Sequence, residues 1–188
     1  MIKTIGLDLD GTLIRSIEYV HNLAARILGI KDYPFPIDFK HSNLTEEHHT
    51  KIFELFNDPA FMCNTYIQQP LVDTVEKLRE WKLKNYKLII ITAREKPVQD
   101  GTFKLVKYYF PNLIDKILFT GMWESKADCM LKEGIDVWID DADIGVETSI
   151  KIGIKTYLIR NEHTFYNNAG ALIVPKECQV ESIKDIQI

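Results

Sequence analysis

The chain is poor in the features that would announce a stapled, anchored or strongly charged protein. Its three cysteines, Cys63, Cys129 and Cys178, lie far apart and form no CxxC pair. That excludes a disulfide framework or a thiolate zinc site and reads as free thiols in a reducing compartment. No apolar stretch approaches the roughly 20 residues that a membrane span needs. The apolar run near the N-terminus is short and carries Asp8 and Asp10, unlike a secretory leader. A cytoplasmic location without membrane contact is the expectation. Twenty-three basic residues stand against 27 acidic ones, for a net charge of −4. This leaves no electrostatic case for a nucleic-acid duplex or an anionic membrane as partner. There are no internal repeats and no low-complexity tracts.

What is present is ordinary in amount and specific in arrangement. At 188 residues, 46% hydrophobic and 27% charged, the chain suits one globular core with an insertion. Apolar, β-branched runs at Lys3 to Leu9, Tyr86 to Thr92, Asp115 to Thr120, Asp136 to Ile139 and Lys155 to Ile159 read as strands buried on both faces. Helical patterns lie between them. One uses Leu71, Val72, Val75, Leu78 and Leu83. A second uses Phe103, Val106 and Phe110 and is stopped by Pro111. A third runs from Ser125 to Glu133 and is closed by Gly134. Alternating strands and helices predict a Rossmann-like three-layer α/β/α fold around a parallel sheet.

The first crossover is too long for a simple connection, with nearly sixty residues between the first strand and the helix at Leu71. Ile17 to Leu28 reads as an amphipathic helix and Thr45 to Phe56 as another, with Thr45 as N-cap. Between them, Lys31 to Phe39 is rich in proline and aromatics. The expected division is a core of residues 1–14 and 70–188 with a small helical cap inserted at 15–69. The cap aromatics Tyr19, Phe35, Phe39, Phe53, Phe61 and Tyr66 are expected mainly in its core, and His48-His49 on a solvated helix face.

Chemistry is concentrated where the strands end. Asp8-Leu9-Asp10-Gly11-Thr12 follows the first strand, and alternate strand residues share a face. Like charges that close disfavour ionisation unless a cation offsets them. Hard oxygen donors of this kind suit Mg²⁺. Thr92-Ala93-Arg94 follows the second strand, Lys126 opens a helix after the third, and Asp140-Asp141 closes the fourth. Singly, Thr92 has the ordinary reading of a helix cap, Lys126 of a solvated cation and the acid pair of a turn. In an open parallel sheet all four ends point to one edge, where such folds bind ligands.

The order Asp8-x-Asp10-Gly11-Thr12, Thr92, Lys126, Asp140-Asp141 resembles the four motifs of the haloacid dehalogenase superfamily of phosphohydrolases. The resemblance covers about residues 1–14 and 70–160. It implies that Asp8 attacks a phosphomonoester to form an aspartyl-phosphate, and that Asp10 protonates the leaving oxygen and then activates water. It implies Mg²⁺ held by the Asp8 carboxylate, the Asp10 carbonyl and an acid of the Asp140-Asp141 pair. Asp141 is favoured as the ligand and Asp140 as its helper, although adjacent acids are not separable by sequence. It further implies that Thr92 hydrogen-bonds a phosphoryl oxygen and that Lys126 neutralises charge on the nucleophile and phosphate, with Lys132 a nearby competitor for the lysine role; Ala93 and Arg94, beside Thr92, are expected to reach the substrate.

Within that superfamily, the insertion after the first motif, Ile-Thr-Ala-Arg and Trp-Ile-Asp-Asp resemble the 5'(3')-deoxyribonucleotidase-like group, as does the Arg160-Asn161-Glu162 and Tyr166-Asn167 tail. That resemblance implies a nucleoside monophosphate as the small phosphorylated partner, with a sugar phosphate as the alternative. Thr12 departs from the valine usual there. A response-regulator receiver has its paired acids first and its lysine last, the reverse of the order here. An idle binding module has no need of an intact Asp8. Oligomeric state is not written in the sequence.

Overall fold

The structure, a computed structural model, describes residues 3–30, 45–122, 124–160 and 174–188. Among these residues, six parallel strands form one sheet: β1 (Thr4–Leu7), β2 (Lys87–Thr92), β3 (Lys116–Phe119), β4 (Val137–Asp140), β5 (Lys155–Ile159) and β6 (Gln179–Val180). Their order is β3-β2-β1-β4-β5-β6. The chain therefore builds outward from β1 on one side and returns to build outward on the other. The switch point falls between β1 and β4, where Leu7 pairs with Ile139 and the Asp8 amide donates to the Ile139 carbonyl at 2.9 Å.

Strand alternation divides the core into layers. Leu88 and Ile90 of β2 join Ile5, Leu7, Val137 and Ile139 on one face, packed against Leu78 and Trp81 of α4 (Thr74–Leu83) and Leu105 and Val106 of α5 (Gln99–Tyr109). Ile89 and Ile91 face the other way, with Trp138 and with Met130 of α6 (Ala127–Glu133). α7 (Asp143–Lys151) adds Val146 against Leu158 on the far side. Burial of both sheet faces is the physical reason for the near-continuous apolar runs.

Among the described residues, three helices precede α4 on the way from β1 to β2: α1 (Ser16–Ile27), α2 (Glu46–Phe56) and α3 (Pro59–Met62). Val20 and Ala24, Ile52 and Leu55, and Phe61 and Met62 form a cluster of their own that reaches the sheet layer through Val98. The Thr45 hydroxyl accepts from the His48 amide at 3.2 Å, the expected cap. The Lys31 to Phe39 stretch, with Phe35 and Phe39, lies outside the described residues, as does the tail from Asn161 through Tyr166-Asn167.

Several local readings change. Inward on α5 is Thr102, whereas Phe103 is half exposed and meets Phe119 edge-on at 5.3 Å. On α4 the buried aromatic is Trp81, while Val72, before the helix, and Leu83 are exposed. His48 is fully buried beside His21, their ring centroids 6.5 Å apart, so only His49 of that pair is solvated. Of the cap aromatics described, Phe61 is buried, Tyr66 is 89% exposed and Phe53 is also exposed. α6 begins at Ala127 rather than Ser125, and Gly134 takes the left-handed conformation at its end, φ 62°.

Candidate active site at the switch point

Asp8 leaves β1 at the sheet's carboxyl edge, and β4 delivers Asp140 and Asp141 beside it. Carboxylate oxygens of the three lie within 4.8 Å of one another, and all three residues are buried. Lys126, at the N-terminus of α6, sends its ammonium into this group, 2.5 Å from Asp8 Oδ1 and 3.2 Å from Asp140 Oδ2. Lys132 sits exposed on the outer face of α6. Among the described residues, Lys126 is the one cation bonded to these three carboxylates, through Asp8 and Asp140.

The electrostatics record that imbalance. Burial pushes the Asp8 carboxyl up to about 7, opposed by Lys126 and reinforced by Asp140 and Asp10. Asp141 is also raised well above the ordinary carboxylate range, by burial first and then by Asp140 and Asp8. Lys126 is pushed upward: its burial is outweighed by the attraction of Asp140 and Asp8. The donor set is all hard oxygen with surplus negative charge, which fits Mg²⁺.

Asp140 and Asp141 occupy different surroundings. Asp140 accepts from the Trp138 indole at 3.1 Å and from Lys126 at 3.2 Å on Oδ2, and from the Ala142 amide at 2.9 Å on Oδ1, so both its oxygens are engaged in internal bonds. Asp141 accepts one hydroxyl, that of Thr12 at 3.1 Å on Oδ1. Two glycines make these placements possible. A Cβ on Gly11, whose φ is 84°, would fall 2.1 Å from Asp141 Oδ2, and one on Gly145 would fall 2.0 Å from Asp140 Oδ2. Arg160, at the end of β5, pairs with Asp143 and so braces the loop from behind.

Asp10 faces the other way. The Arg94 guanidinium grips it with Nε on Oδ2 at 2.9 Å and a terminal nitrogen on Oδ1 at 2.8 Å, and the Ser16 hydroxyl adds a 2.5 Å bond to Oδ1. Burial works to raise this carboxyl, but Arg94 and Ser16 together hold it below the ordinary value. Thr92, fully buried at the end of β2, accepts from the Arg94 amide at 3.3 Å. Ala93 lies part-buried between them. Among the sequence-derived site residues, the structure gathers Asp8, Lys126, Asp140 and Asp141 in one group and Asp10 with Arg94 in a second. Thr92 stands on the same sheet edge and is hydrogen-bonded within the Arg94 turn.

Ser16, Thr102, Trp138 and Gly145 also serve this edge and escaped the sequence reading. Only Trp138, next to the acid pair, carried a local signal. The other three are small residues that meet partners four to eight positions away, Ser16 with Asp10, Thr102 with Val98 and Arg94, and Gly145 with Asp140, and their type alone gives no sign of it.

No protein-family model and no curated protein sequence matches the chain. Among solved structures the likeness is clear in three dimensions. A haloacid dehalogenase-like hydrolase from Streptococcus pneumoniae aligns with a TM-score of 0.63 at 19% identity, covering 89% of this chain and 88% of that one. A protein described as a predicted phosphoglycolate phosphatase from Haemophilus somnus gives 0.64 at 16% identity, over 98% and 96% of the two chains. CbbY from Rhodobacter sphaeroides, in complex with xylulose-1,5-bisphosphate, gives 0.61 at 16% identity, again over 98% and 96%. The fold of this chain is that of the haloacid dehalogenase-like hydrolases.

Proposed function

We propose that the chain is a Mg²⁺-dependent phosphomonoester hydrolase that works through an aspartyl-phosphate on Asp8, with a sugar phosphate or similarly small phosphorylated metabolite as substrate. The observation that carries this reading is the convergence of the Asp8, Asp140 and Asp141 carboxylates at the switch point, with the Lys126 ammonium bonded to Asp8 and Asp140. Buried acids in that number are costly without a cation and a chemical purpose. The core of residues 1–14 and 70–188 would supply the chemistry, and the inserted helices of 15–69 would act as its cap.

In this reading an Asp8 oxygen forms a bond to phosphorus as the ester P–O bond breaks. Asp10, ionised in the free site where Arg94 and Ser16 hold it below the ordinary value, takes the proton that a monoanionic phosphomonoester carries and gives it to the departing alkoxide. Water then attacks the aspartyl-phosphate, its proton passes to Asp10, and inorganic phosphate leaves the restored Asp8 carboxylate. Lys126 offsets charge on Asp8 and the phosphoryl group, and Thr92 orients a phosphoryl oxygen through the hydroxyl proton left over from its bond to Arg94. Asp8, the Asp10 carbonyl and Asp141 would hold Mg²⁺, with Asp140 as the helper that keeps Lys126 and the loop in place. When bound, the ion would neutralise the surplus carboxylate charge and polarise a phosphoryl oxygen.

The sugar-phosphate preference is supported by the CbbY complex with xylulose-1,5-bisphosphate. A nucleoside monophosphate, expected from the motif resemblance, belongs in the same assay. The test is phosphate release from sugar phosphates, phosphoglycolate and nucleoside monophosphates with Mg²⁺, beside Asp8→Asn and beside EDTA. Turnover of the sugar phosphates that disappears in both controls is the expected result. Turnover of nucleotides alone would replace the substrate, and turnover that survives Asp8→Asn would remove the mechanism.

A further inference from the structure

Arg94 is 4% exposed, and its guanidinium spends its donors in two directions. One edge forks onto both oxygens of Asp10, at 2.9 and 2.8 Å. The other nitrogen donates to the Met62 carbonyl at 2.9 Å and to Thr102 Oγ1 at 3.0 Å. Thr102 is itself locked, donating to the Val98 carbonyl at 2.7 Å. Met62 is the last residue of α3, and α3 packs with α1 and α2 in the inserted cluster. The same stretch is seated on α5: the Tyr109 hydroxyl donates to the Thr65 carbonyl, and Cys63 fills the space over Gly101, where a Cβ would lie 2.2 Å from its Sγ. From the other side Ser16, the first residue of α1, holds Asp10 Oδ1.

A guanidinium is planar, and its donors sit in a fixed fork. Met62 and Asp10, one on an inserted helix and one on the β1 loop, are therefore attached to a single rigid plate. We propose that Arg94 is a positioning residue that ties the orientation of the Asp10 carboxylate to the seating of α3, so that the inserted helices set where the general acid points. This rests on the hydrolase reading above and assigns Arg94 a role through Asp10 instead of on the substrate phosphate. Lysine keeps the charge but has a single nitrogen, and it cannot span Asp10, Met62 and Thr102 together.

The experiment compares kcat/KM for an alkyl phosphomonoester, glycerol phosphate, with that for p-nitrophenyl phosphate in the parent chain, Arg94→Lys and Asp8→Asn. An alkoxide needs a proton from Asp10 to leave; nitrophenolate does not. Misplacing a general acid removes much of its roughly 10²–10⁴-fold contribution, so Arg94→Lys is expected to lose about 10–100-fold on glycerol phosphate and within about threefold on the aryl ester. The ratio of the two is independent of how much protein is folded. Equal losses on both substrates, or an alkyl rate that holds relative to the aryl one, overturn the proposal. Hydrogen exchange of the amides from Ala60 to Cys63 reads the other end of the plate: faster exchange in Arg94→Lys is expected, and unchanged exchange overturns the link to α3. A parent chain with no Asp8-dependent turnover of either ester overturns the hydrolase reading itself, a result distinct from the others.

Discussion

Gly11 and Asp141 are packed so closely that a Cβ on the glycine would lie 2.1 Å from Asp141 Oδ2 and 2.6 Å from its Cγ. The glycine also holds φ at 84°, a conformation that strains any residue with a Cβ. Gly11→Ala is expected to destabilise the fold by about 1–3 kcal/mol and to swing the Asp141 carboxylate away from Asp8. Displacing a ligand's support typically reduces metal affinity by about 10–100-fold. Titration of Mg²⁺ by calorimetry, beside a thermal melt, checks both effects. Gly134→Ala, at a positive φ with nothing within 4 Å, is the control: it carries the strain without the loss of affinity.

Removing one acid from the crowded group relieves repulsion. Asp8→Asn is expected to abolish turnover while leaving the metal-free protein as stable as the parent or more so, because the Asp8 carboxyl is raised to about 7 by its surroundings. A melt of the metal-free variant that falls several degrees below the parent would show that the Lys126–Asp8 pair outweighs the repulsion.

If the proposed function holds, Mg²⁺ and pH act on the same charges. A carboxyl raised in the folded state from about 4 to about 7 contributes stability that is present at acid pH and is lost as pH climbs through about 7. Asp141 shifts in the same direction. Asp10 is lowered, so its contribution disappears only below the ordinary carboxylate range and leaves this window unaffected. The metal-free protein is therefore expected to lose stability between about pH 4 and pH 7, and Mg²⁺ to restore it above pH 7. At a hundredfold excess over Kd the ion adds about 2.7 kcal/mol, or about 5–10 °C in Tm for a chain of this size. Scanning calorimetry at pH 5 and pH 8, with and without Mg²⁺, checks the sign: the shift is large at pH 8 and small at pH 5.

Gly101 lets α3 sit on α5, with Cys63 Sγ where a side chain would otherwise begin. Gly101→Ala is expected to lower stability by about 1–3 kcal/mol through overpacking and to speed amide exchange around Cys63, since the Arg94–Met62 bond depends on that seat. A melt and exchange pattern matching the parent would show that the helices separate without strain.

The order of elements, the parallel sheet and its acidic edge were legible in the chain because each rests on local pattern. Runs such as Leu88-Ile89-Ile90-Ile91 are apolar at every position, which only a strand covered on both faces tolerates. Asp8, Asp10, Thr92, Lys126 and Asp140-Asp141 each fall where a strand gives way to a turn or helix, and a parallel sheet sends those ends to one edge. Which face of a helix turns inward was less legible. Phe103 and Val72 look like core, yet Thr102 and Trp81 hold those places, since a hydroxyl that bonds Val98 and Arg94 is as content in the interior as a ring.

The sequence by itself determined the strand-and-helix alternation, the long insertion after the first strand and the residue types at the sheet's edge, all consequences of periodicity, chain length and charge. Tertiary structure alone decided how those residues pair. It set Lys126 between Asp8 and Asp140, gave Asp141 a single hydroxyl partner, buried His48 against His21, and turned Arg94 onto Asp10 and Met62. The reason is distance along the chain: Lys126 is 118 residues from Asp8, and Arg94 is 84 residues from Asp10. No local pattern reports which of several cations a carboxylate meets when the sheet brings them together.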